Sequence, residues 1–568
     1  MKHFFAFCKR NRLFAALLAV ELAVLCVLAA GLFGAPYKLT MTPDLFENPF
    51  PDISSNEGDH FQVWNQTNFQ TSDPLDFPSA GQAVRSGAYE VTVQYFSCQT
   101  PDAPTFNMLN SAGTLSFSSA MVPSAVSADT LRLDDCHRTL TTRLWVSSGA
   151  QLNDLTATLH YNGQGQLYLY AITLTEQPIY RVTRLLGFAL FFAVVDFLLW
   201  LLFAKTGEEG AASRRALRLP LALIAITAFA CLSLFSNYLY FGHDMDYHLQ
   251  RISAMAAELS YGQFPVRFTT TTLNGYGYAN PLCYCELFLL LPALLYNLWL
   301  PLRTCYQIYL FAVTLATCAI AYYSFAKIAA SRRLGLLGAL LYTLSCYRLV
   351  CVYTRAAAGE FTAMAFFPLV LAGLYGIYTR DKPRFVDWLP MSLGMAAMVQ
   401  SHLLSCELTA LLLILFCLLR LRETLHPARL LAWVKAALLA VGLSAWYLVP
   451  FFLSTSSIPF MVNGPLIGKI QFQGLYLIQL FNPFYNGFAG ADAGTNPDMM
   501  LSLGLPLILG LGLVVFCLLR RRDVQGQAAS ILTTAAGFFA LTVFLALHIF
   551  PWDYVQTTLG RTAGKLAG

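Results

Sequence analysis

Between an apolar run ending at Tyr240 and another beginning near Pro281 lies Gly242-His-Asp-Met-Asp-Tyr-His-Leu-Gln-Arg251, followed by Gly262-Gln-Phe-Pro-Val-Arg267 and Asn274-Gly-Tyr-Gly-Tyr-Ala-Asn280. Ionisable groups are costly beside a bilayer and are often kept there for function. A carboxylate next to an imidazole and a guanidinium can accept a hydroxyl proton while the cation holds a departing anion. Asp244 is the foremost candidate for such a base. Asp246 reads as the N-cap of the helix that follows, and His243 as a ligand, a hydrogen-bond donor or a cap. Farther on, Tyr353-Thr-Arg-Ala-Ala-Ala-Gly-Glu360 brings an Arg and a Glu to a short turn. Arg355 and Glu360 either pair with each other, or Arg355 holds a phosphate while Glu360 positions a metal or a sugar hydroxyl. Ser401-His402 marks a tight turn, as a polar cap or a ligand contact. Phe472–Tyr485, with Gln473, Tyr476, Asn482 and Tyr485, is rich in rings and amides suited to a sugar. Asp244 and Glu360 are thus the candidate catalytic carboxylates, and the candidate ligands of a divalent cation, Mg or Mn. The candidate substrate-binding residues are His243, His248, Arg251, Arg267, Tyr276, Arg355, His402 and Asn482.

These side chains need a helix start and several membrane-edge turns to hold them. From Asp246, the residues Leu249, Ile252, Ala256 and Leu259 recur at three and four, which predicts a short amphipathic helix lying in the interface plane. Its N-terminus would be open to an anion such as phosphate. The surrounding chain is 57% hydrophobic and 12% charged over 568 residues, too apolar for a soluble protein. The fold class is therefore a polytopic α-helical membrane protein. Its net charge of +5 comes from basic residues placed between apolar runs. With no zinc finger, phosphate loop or dinucleotide fingerprint, nothing points to nucleic acid as a partner.

The chain opens with Lys9, Arg10 and Arg12 and an apolar run to about Gly34, longer than a signal-peptide core, so residues 1–34 read as an uncleaved anchor with a cytoplasmic N-terminus. Residues 35–180 are polar and alternate in segments such as Tyr89–Tyr95, Thr114–Ser118, Leu152–Tyr161 and Gln166–Leu174, the pattern of an extracytoplasmic all-β sandwich. Asn162-Gly163 and Gly165 suggest a hairpin between the last two segments. Cys98 and Cys136 would face an oxidising compartment, either bridged or apart, and Asn65-Gln-Thr67 matches a glycosylation sequon. A second span and cytoplasmic linker occupy 181–217. Further apolar runs at 218–240, 283–300, 304–327, 334–352, 361–379, 386–402, 404–420, 430–453, 499–519 and 528–550 bring the total to about twelve. Arg214, Arg332, Arg333, Arg380, Arg420 and Arg520 belong to basic clusters expected on the cytoplasmic side. Loop 241–282, the Arg355–Glu360 turn, His402 and loop 454–498 then lie outside. This holds only if 283–300 or 304–327 is a broken or re-entrant segment, aided by Pro292 and Pro301.

Gly242-His-Asp244, His248, Arg251, Gly262-Gln-Phe-Pro265, Gly275-Tyr-Gly277, Arg355, Gly359-Glu360 and Ser401-His402 together resemble bacterial membrane proteins described as carrying a 6-pyruvoyl-tetrahydropterin synthase-related domain. Those proteins are similar in layout to the GT-C class of integral-membrane glycosyltransferases. The resemblance covers roughly residues 220–555. It implies a GT-C-like core at 218–568, an acidic residue of the first external loop at Asp244, companions in Arg355 and Glu360, and a polyprenyl-phosphate-linked sugar as donor. Two features depart from it: an anchor, β-domain and second span precede the core, and the chain stops soon after Pro551-Trp-Asp-Tyr554, as a C-terminally truncated copy would. No zinc-histidine cluster supports the pterin description.

The expected activity is transfer of that sugar, at the outer face of a bacterial inner membrane, to an extracytoplasmic glycan or lipid acceptor. A transporter or flippase of lipid-linked glycan would use the same charged residues without bond chemistry. A non-enzymatic envelope assembly protein would use the β-domain and keep the helices as an anchor in the lipid bilayer.

Overall fold

The computed structural model describes residues 11–43, 54–63, 75–79, 82–98, 111–128, 130–134, 137–161, 165–203, 207–235, 239, 242–273, 276–457, 470–481, 501–520 and 527–558. The Asn65 sequon, Cys136, Asn482 and Tyr485 lie outside the described residues. The chain forms two units, one comprising Met1–Pro220, Ile252–Tyr278 and Leu291–Tyr306, the other Leu221–Arg251, Ala279–Leu290 and Gln307–Gly568.

In the first unit, α1 (Arg12–Gly31) leads into eleven strands: β1 (Lys38–Met41), β2 (Ser54–Asn56), β3 (Phe61–Val63), β4 (Leu75–Pro78), β5 (Val84–Cys98), β6 (Ser111–Ser119), β7 (Val126–Ala128), β8 (Leu131–Asp134), β9 (Thr139–Leu152), β10 (Leu155–Tyr161) and β11 (Gln166–Glu176). One antiparallel sheet runs β2-β3-β11-β5-β9-β7 with β1 also on β11, and a second runs β4-β10-β6-β8. Alternation explains the core they share: Leu155, Ala157, Leu159 and Tyr161 of β10 all point inward, and Phe61 of one sheet meets Phe77 of the other at 5.2 Å between ring centres. In β11 the inward set switches from Leu167 and Leu169 to Ile172 and Leu174. The cause is a bulge, since Leu169 opposes Tyr95 while Ala171 opposes Gln94, leaving Tyr170 as the extra residue.

The hairpin expected at 162–165 does not form. β10 pairs with β4 and β6, whereas β11 pairs with β1, β3 and β5, so the chain between them passes from one sheet to the other. Turn residues mark a reversal of the chain, but they do not say whether the two strands pair across it.

The sheets return to the membrane through α2 (Pro178–Phe203). Arg181 in its first turn holds Glu176 at the end of β11 through two hydrogen bonds of 2.7 and 2.6 Å, and donates to the carbonyls of Gly31, the last residue of α1, and Gly34 beyond it. Segment 296–299 is stitched to the same unit by its carbonyls. Arg143 donates to Tyr296, Trp145 to Trp299, both from β9, and Thr183 of α2 donates to Leu298.

Besides the short helices Asn280–Cys283, Leu290–Asn297, Leu421–Thr424 and Leu477–Phe481, the remaining described α-helices are α3 (Gly207–Ala230), α4 (Met245–Ser260), α5 (Leu302–Ala329), α6 (Arg332–Thr343), α7 (Cys346–Tyr353), α8 (Ala358–Tyr378), α9 (Phe385–Val399), α10 (Leu403–Leu419), α11 (Pro427–Ser457), α12 (Leu505–Leu519) and α13 (Gln527–Ala546). Among the described residues, five helices (α1, α2, α5, α8 and α11) are long and apolar enough to cross a membrane. The pair α6 and α7, bent by 44°, is apolar and long enough when the two are taken together, as a broken span or a re-entrant loop. Six of the expected runs appear instead as apolar helices of 10–17 residues. The chain is a multi-pass membrane protein with a β-rich unit. Run 283–300 is broken into the short pieces Asn280–Cys283, Leu287–Leu289 and Leu290–Asn297, too short for one crossing. In the second unit, α8 and α9 approach closely because glycines meet backbone: a Cβ on Gly376 would stand 2.3 Å from Asp387 O, and one on Gly373 2.3 Å from Met391 N.

Candidate functional site

In the second unit the start of α4 meets the turn between α7 and α8. His243 N donates to Thr354 O at 3.0 Å and Asp244 N to Arg355 O at 2.9 Å, so the two loops are joined by backbone. Gly242 is required at this contact, since a Cβ there would lie 2.7 Å from that of Ala356. The helix begins at Met245, with the Asp244 carbonyl accepting from His248 N at 3.0 Å. Asp244 therefore occupies the N-cap position by its backbone. Asp246, expected there, is an exposed residue of the first turn, favourably placed against the helix dipole. Nor does α4 show only an apolar face inward: His248, Arg251 and Glu258 are buried along it with Met245, Ile252 and Met255. Of these polar residues, His248 and Arg251 stood out in the sequence, and only Glu258 was masked by the apolar period.

Apart from the exposed Asp246, each charged group here except one has a partner. Arg251 pairs with Glu286 at 3.1 Å, both side chains about 5% exposed, and its guanidinium lies 3.9 Å over the Tyr284 ring. The pair holds the start of α4 against residues 284–286. His248 sits between two donors, the Ala358 N–H at Nε2 and the Arg251 Nη1 at Nδ1, each 3.2 Å away. A neutral imidazole has one acceptor nitrogen and an imidazolium none, so only one contact is a hydrogen bond and protonation is opposed. Burial, and then the Arg251 charge, push the His248 pKa down to about 3. Arg355 Nη1 binds Glu360 Oε2 at 2.5 Å and the Tyr347 hydroxyl at 3.0 Å, while that hydroxyl donates to Glu360 Oε1 at 2.6 Å.

The Asp244 carboxylate is the exception. It is half-buried, lies within electrostatic reach of the Tyr284 hydroxyl, and makes no hydrogen bond or ion pair among the described residues. Behind it α8 begins tightly: the Gly359 N–H donates to the Tyr284 oxygen, and a Cβ on Gly359 would stand 1.9 Å from that oxygen and 2.7 Å from Ser401 O. A cavity of about 10 Å3, room for one water, is enclosed there by Arg251, Tyr284, Gly359, Thr362, Gln400 and Ser401. His402 precedes α10, its Nδ1 is 2.8 Å from Ser405 Oγ, and its ring centre is 6.2 Å from that of Tyr284.

One unit thus brings together Asp244, His248, Arg251, Arg355, Glu360 and His402 of the sequence-predicted residues, with His243 exposed at the edge. Arg251 is committed to Glu286 rather than open to a phosphate. Arg267 and Tyr276 belong to the first unit, where Arg267 N donates to Gln263 Oε1 at 2.7 Å and Tyr276 is exposed. Tyr476 stacks on His548 at 5.2 Å. Sequence reasoning passed over Tyr284, Glu286 and Tyr347 because they sit inside runs read for hydropathy. A carboxylate in an apolar run was the available signal for Glu286. Each Glu360 oxygen accepts a hydrogen bond, one from Tyr347 and one from Arg355. No group of three or more His, Cys, Asp or Glu is placed to hold a metal among the described residues.

The chain matches no protein-family model, no curated protein and no solved structure.

Proposed function

We propose that the chain is a membrane glycosyltransferase that moves a sugar from a polyprenyl-phosphate-linked donor to an extracytoplasmic glycan or lipid acceptor, with Asp244 as general base. What carries this reading is the uncommitted Asp244 carboxylate, fixed by backbone beside Arg355 in a cluster whose Glu286 and Glu360 carboxylates are paired. The acceptor hydroxyl attacks the anomeric carbon, its proton passes to Asp244, and the sugar–phosphate bond breaks with its electron pair leaving on the phosphate. A single displacement inverts the anomeric centre. Arg355 uses only Nη1 in its described contacts, so its other N–H groups are directed to the leaving phosphate. Glu360 and Tyr347 position Arg355.

The test is release of polyprenyl phosphate by purified protein given candidate lipid-linked sugars and acceptor extract. Asp244→Asn removes the base and lowers turnover about 10²–10⁴-fold while donor binding persists, and Arg355→Ala weakens binding as well. Equal turnover by wild type and Asp244→Asn would refute the role.

A transporter of lipid-linked glycan is the second reading, supported by the bent pair α6 and α7. Near that bend the fully buried Arg348 is held by Thr314, Thr317 and the Thr343 carbonyl, and broken helices recur where transporters rearrange. Asp244-dependent movement of lipid-linked sugar across liposomes, with no polyprenyl phosphate released, favours this reading.

A further inference from the structure

One face of α2, at the end where it leaves the sheets, carries Tyr180, Thr183, Arg184, Gly187, Phe188 and Phe191, spaced three and four apart. This face lines a groove of about 520 Å3 whose other walls come from β9 and from residues 300–304, including Arg303. That volume is within the range of about 300–1,000 Å3 usual for ligand sites. Two guanidinium side chains and no carboxylate are among its described lining residues, which gives it a positive field.

The order along the helix is informative. Polar and cationic residues fill the first two turns, Gly187 follows, and two phenyl rings lie deeper. Arg184 to Phe191 covers about 10 Å at the helical rise of about 1.5 Å per residue. Around a position where Gly187 would carry a Cβ there is open space, with no atom within 4 Å. No residue in the apolar window of α2 is fully buried by protein, so a bilayer would lay hydrocarbon against it. A charged mouth leading to an aromatic, side-chain-free channel beside lipid matches a phosphate joined to an alkyl chain.

We propose that this groove holds an anionic glycerophospholipid of the bilayer, its phosphate at Arg184 and Arg303 and one acyl chain over Gly187, Phe188 and Phe191. The site is separate from the Asp244 cluster and independent of any sugar transfer. The lipid would fill the space between the edge of the sheet unit and its own spans.

The test uses the full chain purified in mild detergent, with its thermal midpoint measured against added dioleoyl phosphatidylglycerol, dioleoyl phosphatidylcholine and inorganic phosphate. Phosphatidylglycerol should raise the midpoint saturably by several degrees, phosphatidylcholine with the same chains by much less, and phosphate not at all. Arg184→Gln/Arg303→Gln should lose the phosphatidylglycerol shift. So should Gly187→Leu, which fills the channel without touching a charge and decides the matter where the double variant fails to fold. Equal shifts from the two lipids, a full shift from inorganic phosphate alone, or an undiminished phosphatidylglycerol shift in Gly187→Leu overturns the proposal.

Discussion

At the scale of single residues, Arg251 and His248 show how a cluster that looks catalytic in sequence is partly scaffold. Arg251 and Glu286 are a desolvated pair, so removing one partner leaves the other charge buried and unmatched. Arg251→Met should cost about 3–5 kcal/mol, and Arg251→Met/Glu286→Leu should recover much of that. Unfolding midpoints in detergent measure both; a single variant as stable as wild type would return Arg251 to the list of groups open to an anion. His248 gives a pH signature. Its pKa is about 3 in the folded chain against an ordinary 6.5, so between those values the unfolded chain binds a proton that the folded one refuses. Its contribution is full above about 6.5 and lost as pH falls toward 3, at no more than about 1.4 kcal/mol per unit. His248→Gln should flatten that part of the stability curve, and an unchanged acid slope would contradict the buried, neutral imidazole. Sequence reading located Asp244, Arg355 and Glu360 because polar residues stand out at membrane edges. It could not separate the paired from the unpaired, since pairing depends on Glu286 and Tyr347, which approach only once the apolar runs around them fold.

At the scale of elements, close backbone approach decides where side chains are tolerated. Gly359 starts α8 against the Tyr284 hydroxyl and the Ser401 carbonyl, while Gly442 in α11 has nothing within 4 Å of a Cβ position. Gly359→Ala should therefore destabilise by about 1–3 kcal/mol through overpacking and reduce activity by shifting Arg355. Gly442→Ala should be neutral or slightly stabilising, as a helical Gly-to-Ala change normally is. Thermal midpoints of the two variants, measured side by side, check the contrast, and equal effects would mean that α8 does not start as described. The period of two made the strands legible, and hydropathy made the spans legible. The bulge at Tyr170 and the crossover after β10 were not, because each depends on which neighbour a segment finds rather than on its own pattern.

For the whole molecule, the placement of the chain across the bilayer follows from where the sheet unit is tied. β1 starts shortly after α1 and pairs with β11, Lys38 opposite Thr175, just before α2 begins at Pro178. If α1 and α2 both cross, these two crossings end at one membrane face, the face opposite residue 11. Residues 296–299 are bound to β9 at that face, and α5 leaves from there with 28 residues, about 42 Å at the helical rise, enough to carry the chain across to Arg332 and Arg333. With run 283–300 broken, the basic clusters and the apolar helices no longer conflict, and the positive-inside bias predicts that the sheet unit lies outside. In a background with accessible cysteines replaced, Met121→Cys, at a residue 80% exposed, should react with a membrane-impermeant maleimide in intact cells. Arg333→Cys should react only after permeabilisation. Protection of Met121→Cys would place the sheets on the cytoplasmic side. Labelling of both positions from outside would mean instead that α5 does not cross.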